Sequence, residues 1–485
     1  MVADYDVIVV GSGFGGAVAA CRLAQAGMRV CILERGRWWP AESFPLHNWN
    51  PGAWLWTKWT KGLYQHYRFK KLDVIVASGV GGGSLVYTNV LIAPPAEAFN
   101  KNWPSSITLA ALKPYYQRVR NTLHPTAYPR ASFLSKTRAL ANGAKLIGRQ
   151  KDFTLLDLAV YWGQPGVPHQ DPYGFGNQQT GCLDLGECFT GCPLNAKNTL
   201  DLNYISLALK HGAECRSLHE ATYIARQGHR YKVHYLDRSG FIPRRGHISA
   251  PRVVLSAGSL GSTGILLHSV KTYRTLNPLS PALGRGFSAN GSFMASLMGI
   301  APKVDFTAGP TITSGIHYPE EQIIIEDGGL PPVSLLKMIQ GLRLFNALPL
   351  LLMGRDAADG RIELKGKSLK LTLSWSPQNS MPLFDTMEQR VKELAAALKG
   401  RALFLPTWSL FRKLVTVHPL GGCPMADSPQ EGVVNDCGAV YGHPGLYVAD
   451  GSIVPTSLGI NPAFTIAALA ERIAENIHQR RITDK

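Results

Sequence analysis

The sequence predicts an α/β fold in two domains, the first organised around a parallel β-α-β unit and the second a mixed α+β domain built on a β-sheet. Three observations carry this expectation. A chain of 485 residues, 45% of them apolar, exceeds what one hydrophobic core usually supports. An apolar strand runs into a glycine-rich turn and a small-residue helix at the N-terminus, and a glycine-rich, proline-punctuated segment extends from His418 onward. Between them, residues 307–414 mix alternating strand patterns with a helical stretch and carry no cofactor signature.

In the N-terminal unit, Tyr5-Asp6-Val7-Ile8-Val9-Val10 reads as a buried strand and Gly11-Ser12-Gly13-Phe14-Gly15-Gly16 as a tight turn. Residues 17–26 follow as a helix ended by Gly27, and residues 28–33 as a second strand ending on Glu34. Gly11 permits the turn, Gly13 lets backbone approach a pyrophosphate, and Gly16 lets the helix pack close to the strand. The helix N-terminus then faces the phosphates, and Glu34 stands where an acid accepts hydrogen bonds from a ribose. This is a Rossmann-like dinucleotide site, and by itself it does not separate FAD from NAD. Strand patterns at 222–225, 231–236 and 252–255, with turns at Gly228 and Ser239-Gly240, suggest a meander beside the first strand. Further on, strands are predicted at 361–364 and 368–375 and a helix at 385–398.

Three other segments resemble the glucose-methanol-choline (GMC) oxidoreductase family, and its cholesterol oxidase branch in particular. They are Ser78-Gly79-Val80-Gly81-Gly82-Gly83-Ser84-Leu85-Val86; Val253-Val254-Leu255-Ser256-Ala257-Gly258-Ser259-Leu260-Gly261-Ser262; and His418-Pro419-Leu420-Gly421-Gly422-Cys423, with Gly445-Leu446-Tyr447-Val448-Ala449-Asp450-Gly451-Ser452 and Asn461-Pro462. The resemblance implies a discontinuous FAD-binding domain (1–40, 195–295 and 430–485) and a substrate domain (41–194 and 296–429). It implies cofactor contacts from Gly11, Gly13, Phe14, Gly15, Gly16, Glu34, Arg35, Gly79, Gly82, Gly83, Ser84, Ala221, Ala257, Asp450, Gly451, Asn461 and Pro462. Asp450 and Gly451 would reach the ribityl and phosphate portion. No His occurs in residues 79–84, where some members attach flavin, so the FAD is expected to be noncovalent. The implied reaction moves hydride from the CH–OH group of an apolar alcohol, sterol-like or otherwise hydrophobic, to flavin N5, and electrons onward to oxygen or another acceptor. Two alternatives share the scaffold: a flavin-dependent, light-driven fatty-acid decarboxylase, and a redox-inactive flavin protein that binds lipid surfaces.

Alcohol oxidation needs a group near pKa 7 to hold the alcohol oxygen and take its proton. His418 suits this, in a His-Pro-Leu-Gly-Gly turn whose glycines let backbone approach a planar ring, and the resemblance sets Asn461 opposite it as the second catalytic residue. Asn461 also reads as the N-cap of the last helix, with Pro462 at its first position, aiming the positive end of the helix at the flavin. One part departs from the family: the acid that cholesterol oxidases carry on an active-site loop falls near Ser334 or Leu335. Glu326, read as a turn acid before Gly328-Gly329, is a candidate substitute.

Cys182, Cys188 and Cys192-Pro193 copy an iron-sulfur run with Leu185 in place of its second ligand, so buried thiols are expected there and no metal. Eight Cys are too sparse for a disulfide framework, and Cys21 and Cys31 read as small hydrophobes. A formal charge of +17 favours anionic partners, but no nucleic-acid module is legible and nucleic acid is not expected. Trp54, Trp56 and Trp59 interleave with Lys58, Lys61, Arg68, Lys70 and Lys71, a mixture suited to an anionic membrane surface. A second apolar stripe, Leu335, Met338, Ile339, Leu342 and Phe345, reads as a helix stopped by Pro349. With no signal segment and no apolar run of roughly 18 residues, the protein is expected in the cytosol, with peripheral membrane contact.

Overall fold

The continuous apolar run at the N-terminus forms β1 (Val7–Val10), buried along its whole length as a strand covered on both faces must be. The computed structural model describes residues 5–45, 51–57, 59–330, 346–366 and 370–483. In it, β1 is the centre of a five-stranded parallel sheet ordered Glu214–Arg216, Val30–Leu33 (β2), β1, Arg252–Leu255 and Leu446–Val448. Helix α1 (Phe14–Gln25) makes the crossover from β1 to β2 and packs beneath the last helix, Ala463–Thr483. A buried carboxylate ties these elements together: Glu471 accepts from Arg22 of α1 at 2.7 Å and from the Tyr204 hydroxyl at 2.9 Å.

The strand at 252–255 joins this parallel sheet rather than the meander. The meander consists of His219–Gln227, Arg230–Asp237 and Arg244–Ala250. Its third strand escaped the sequence reading because it opens Arg244-Arg245-Gly246-His247, polar side chains on a solvent-facing edge.

A second sheet, of six antiparallel strands, is ordered Arg401–Phe404, Phe293–Met298, Ala347–Gly354, Ile323–Asp327, Ser314–Tyr318 and Phe153–Leu155. Helix Met381–Ala397 buries Phe384, Met387, Val391 and Leu394 in the core behind it. Phe293–Met298 belongs whole to this sheet, so a domain boundary at residue 295 would cut a strand. Pro349 sits inside the strand Ala347–Gly354, paired with Ser296, and does not stop a helix; the helical stripe at 335–345 and the positions Ser334 and Leu335 lie outside the described residues. The strands expected at 361–364 and 368–375 form the hairpin Arg361–Lys365 and Lys370–Ser374. A small third sheet of Tyr64–Arg68, Leu72–Ala77 and Leu414–Thr416 delivers the chain to His418. No described helix is long and apolar enough to cross a membrane.

The sharpest steric constraint is at Gly15, where an added Cβ would lie 1.5 Å from the carbonyl oxygen of Ala449. Helix α1 and the turn that follows the strand Leu446–Val448 therefore meet backbone to backbone. Gly15→Ala must force them apart, at a cost of at least about 1–3 kcal/mol. It should lower the thermal unfolding midpoint by several degrees, and an unchanged midpoint would contradict the packing described here.

Candidate active site

Between the two large sheets runs a cavity of about 1310 Å³. Of the residues singled out from sequence, Gly11, Gly13, Phe14, Gly15, Glu34, Arg35, Gly82, Gly83, Ala221, Ala257, His418, Asp450, Gly451, Asn461 and Pro462 line it. Gly16, Gly79 and Ser84 do not; they shape the loops behind. A Cβ on Gly16 would come 2.0 Å from the Gly11 carbonyl oxygen, and one on Gly79 would meet the Trp39 ring. The Ser84 hydroxyl donates to the Gly81 carbonyl at 2.7 Å and accepts from the Leu200 amide at 2.9 Å.

The glycine end has the features of a dinucleotide cradle. Gly13 caps α1 without any side-chain hydrogen bond, so the first-turn amides keep their donors for a ligand. A Cβ on Gly83 would meet nothing within 4 Å. Glu34, at the end of β2, accepts from the Ser12 amide (3.0 Å) and hydroxyl (2.7 Å) through Oε2 and from the Gly36 amide (2.8 Å) through Oε1. These bonds fix the carboxylate at the cavity wall with lone pairs left to accept from a ribose. Arg35 lies over the Trp56 ring at 5.0 Å and donates to Gln65. Asp450 also holds the scaffold together. Its carboxylate, while lining the cavity, accepts from the Gly258 amide (2.9 Å), the Ser262 hydroxyl (2.5 Å) and the Ser452 amide and hydroxyl (2.8 and 2.5 Å). It locks the start of helix Gly258–Leu267 to the turn at Gly451.

At the opposite end stand His418 and Asn461. The His418 amide donates to Thr416 Oγ1 at 3.0 Å, and its Nδ1 lies 3.5 Å from Ser292 Oγ, its one side-chain polar contact among the described residues. Nε2 is thereby left to the cavity. Burial pushes the imidazole down to about 4, so the ring is neutral, with a free lone pair, across the ordinary pH range. Asn461 is 4% exposed. It does not cap the last helix as expected: the first intrahelical bond runs from the Ile466 amide to the Pro462 carbonyl, and Asn461 Oδ1 has no partner. Its Nδ2 donates instead to Glu326 Oε2 at 3.4 Å. Glu326 is not a turn acid but part of the strand Ile323–Asp327, fully buried, and burial pushes its carboxyl up to about 8.

Comparison with known proteins fits this geometry. The family model "GMC oxidoreductase" matches residues 384–470, and a "NAD(P)-binding Rossmann-like domain" model matches residues 9–37. A cholesterol oxidase of Mycobacterium tuberculosis (strain CDC 1551 / Oshkosh) is 30% identical over 546 residues, covering 100% of this chain and 93% of that protein. The chain belongs to the GMC oxidoreductase family, on its cholesterol oxidase-like branch. A cholesterol oxidase of Acinetobacter baumannii is likewise 30% identical, over 97% of this chain and 93% of its own. A long-chain-alcohol oxidase of Arabidopsis thaliana is 24% identical over 97% of this chain and 67% of its own. The crystal structure of pyridoxine 4-oxidase from Mesorbium loti superposes with a TM-score of 0.66 at 15% identity, covering 98% of this chain and 99% of that one, and so shares the fold. As a GMC oxidoreductase the protein is an FAD-dependent enzyme acting on CH–OH donors. The unspent amides of α1, the open Gly83 and the anchored Glu34 suit the nucleotide half of FAD.

In this GMC oxidoreductase the three loop cysteines do not line the large cavity, although Phe189 between them does. Cys182, Cys188 and Cys192 border a separate pocket of about 30 Å³ that Leu185 shares, and burial pushes the thiols of Cys182 and Cys192 up. Among the described residues no group of three or more His, Cys, Asp or Glu could hold a metal ion. Glu34→Ala should weaken FAD retention by about 1.5–3 kcal/mol, the scale of charge-assisted hydrogen bonds. Equilibrium dialysis would measure this, and undiminished retention would remove Glu34 from the cofactor site.

Proposed function

We propose that the protein oxidises an apolar alcohol, sterol-like or otherwise hydrophobic, to a carbonyl, with His418 and Asn461 holding the alcohol oxygen and noncovalent FAD contacted by the lining residues named above. The observation that carries this reading is a neutral, half-buried imidazole with Nε2 open to the same cavity as the glycine cradle. Bound FAD supplies the acceptor for the hydride of the alcohol carbon. His418 Nε2 accepts the hydroxyl proton as the hydride departs, and the Ser292 hydroxyl at Nδ1 steadies the resulting imidazolium. Asn461 donates to the same oxygen as negative charge develops on it. The roof above is apolar, with Met294 and Leu351 of the second sheet and Leu371 and Phe404 beside them, and it excludes water from the reacting oxygen. Such a lining suits a hydrocarbon substrate, and the relatives named as cholesterol and long-chain-alcohol oxidases support both that class and oxygen as the electron acceptor. In this reading the six-stranded sheet, with Phe293–Met298 included, is the substrate domain, and residues 1–40 with the segments forming the parallel sheet are the FAD domain.

The substrate would be met at an anionic lipid surface. Of the three tryptophans singled out from sequence, Trp56 is buried beneath Arg35 and Arg238 and Trp54 stacks on Tyr64. Trp59 alone projects, 74% exposed, beside Phe241 (89%) and Ile242 (75%), with the exposed Arg244 and Arg245 following. The sequence reading missed Phe241-Ile242 because they occupy a short turn with no periodicity. Leu55, 53% exposed, continues this patch into the cavity wall, which gives an apolar substrate a short path inward.

His418→Ala should leave FAD bound and slow anaerobic flavin reduction by roughly 10²- to 10⁴-fold, the usual worth of a positioned acid-base group. In the parent enzyme the same step should hold its rate down to about pH 4, where the imidazole takes up a proton, instead of failing near 6.5. Stopped-flow reduction by long-chain and sterol alcohols decides this, and an unchanged rate in His418→Ala would refute the assignment.

Sedimentation with anionic phospholipid vesicles should show salt-sensitive binding, each surface charge adding about 1 kcal/mol. Replacing Trp59, Phe241 and Ile242 by Ser should abolish it while flavin reduction by a detergent-dispersed alcohol persists. No association of the parent protein at low salt would end the lipid-surface idea.

A further inference from the structure

Asn461 and Glu326 form a buried pair with two unsatisfied ends. Glu326 is fully buried and Asn461 nearly so, their one mutual hydrogen bond is long at 3.4 Å, and both Glu326 Oε1 and Asn461 Oδ1 lack partners. The sheet register explains how a carboxyl comes to be there. Glu326 pairs with Leu351, which pairs on its other side with Met294; paired residues share a face, and Leu351 and Met294 line the cavity. Glu326 is thus the third member of a row facing the cavity, covered by Asn461 and absent from the wall itself. Its neighbour Asp327 points to the other face, where it accepts from Thr313, Ser314 and Thr137.

We propose that Glu326 is a positioning residue for Asn461, its carboxyl deciding whether the amide turns its N–H group or its carbonyl oxygen to the cavity. The two ends of a terminal amide have nearly the same shape, so hydrogen bonding alone selects between them. An ionised Glu326 accepts from Nδ2, the arrangement seen at 3.4 Å, which leaves Oδ1 without a partner; turning the amide over gives the alternative. A neutral Glu326 donates its O–H to Oδ1 and presents Nδ2, with both hydrogens free, to whatever oxygen lies beside His418. Only the second arrangement stabilises negative charge on that oxygen.

The surroundings favour the neutral carboxyl. Among the described residues no cation pairs with Glu326. The position facing it on the strand Ser314–Tyr318 is Gly315, with His317 two residues along the same face, and Leu351 on the other neighbour cannot titrate. Lys136, on helix Ser135–Leu146 behind Asp327, is committed to the carbonyls of Pro310 and Thr311. His418, itself neutral, is the remaining titratable group at this end of the cavity. Burial holds the carboxyl neutral to about pH 8. The fold thereby sets a window between two neutral groups: a base formed above about 4 and a donor lost above about 8.

The kinetic consequence rests on the alcohol-oxidation reading; the coupling itself does not, and the test separates them. In the full-length holoenzyme, infrared difference spectra should show a protonated-carboxyl band that vanishes with a midpoint near pH 8, is absent in Glu326→Gln, and shifts in Asn461→Leu. Anaerobic flavin reduction by a long-chain or sterol alcohol should fall roughly tenfold or more above that pH. Glu326→Gln, whose amide can either donate or accept, should lose the alkaline limb, and Glu326→Asp should restore it. The proposal is overturned if no such band titrates, if Asn461→Leu leaves it unmoved, or if Glu326→Gln keeps the limb. Failure of every alcohol to reduce the flavin would count against alcohol oxidation, and the infrared result would still decide the coupling. Should Glu326→Gln not fold, the parent and Asn461→Leu spectra decide alone.

Discussion

The carbonyl of Ala449 touches helix α1 at Gly15, and the remainder of the site is arranged around that contact. Because no side chain separates them, the first glycine-rich turn and the turn bearing Asp450 and Gly451 are held within one backbone thickness of each other. Asp450 then spends its carboxylate on Gly258, Ser262 and Ser452, fastening a third segment to the same point. Three loops from distant parts of the chain thus become one wall, and the orientation of that wall fixes where the last helix begins and where Asn461 stands.

Burial acts with opposite sign on the two groups at the far end of the cavity. For His418 it disfavours the cation, and for Glu326 it disfavours the anion with the neighbouring Asp327 adding to it, so both stay uncharged over the same pH range. No ion pair is needed to tune either one. In the proposed reaction a neutral base and a neutral donor would be what removal of a proton from an uncharged alcohol asks for, since neither creates charge before the reaction does.

The glycine turn, β1, β2 and Glu34 were legible because their chemistry is local: a strand, a turn and a helix within forty residues leave a signature that no distant contact has to complete. His418 and Asn461 were legible through their motifs. Asn461 was nonetheless assigned a cap it does not make, because Asn before Pro is a common helix start and its actual partner, Glu326, lies on a strand far away in sequence. Glu326 itself was misread for the same reason, since Asp-Gly-Gly after it suggests a turn while sheet pairing with Gly315 and Leu351 makes it a strand residue. The motif located Asp450 at the cavity, but only the folded contacts reveal that its carboxylate also joins Gly258, Ser262 and Ser452.

The fastening of α1 to segments from the other end of the chain bears on how the protein is made. Val18, Ala19, Cys21 and Leu23 of α1 are fully buried, and the cover over α1 includes the helix Ala463–Thr483, far along the chain from it. During synthesis the first βαβ unit emerges well before that helix, and its apolar face stays open until the helix has been made. Closing such a long-range pairing is slow, and exposed apolar surface invites aggregation while it waits. A chain shortened before Ala463 would keep the nucleotide motif and lose the cover over α1.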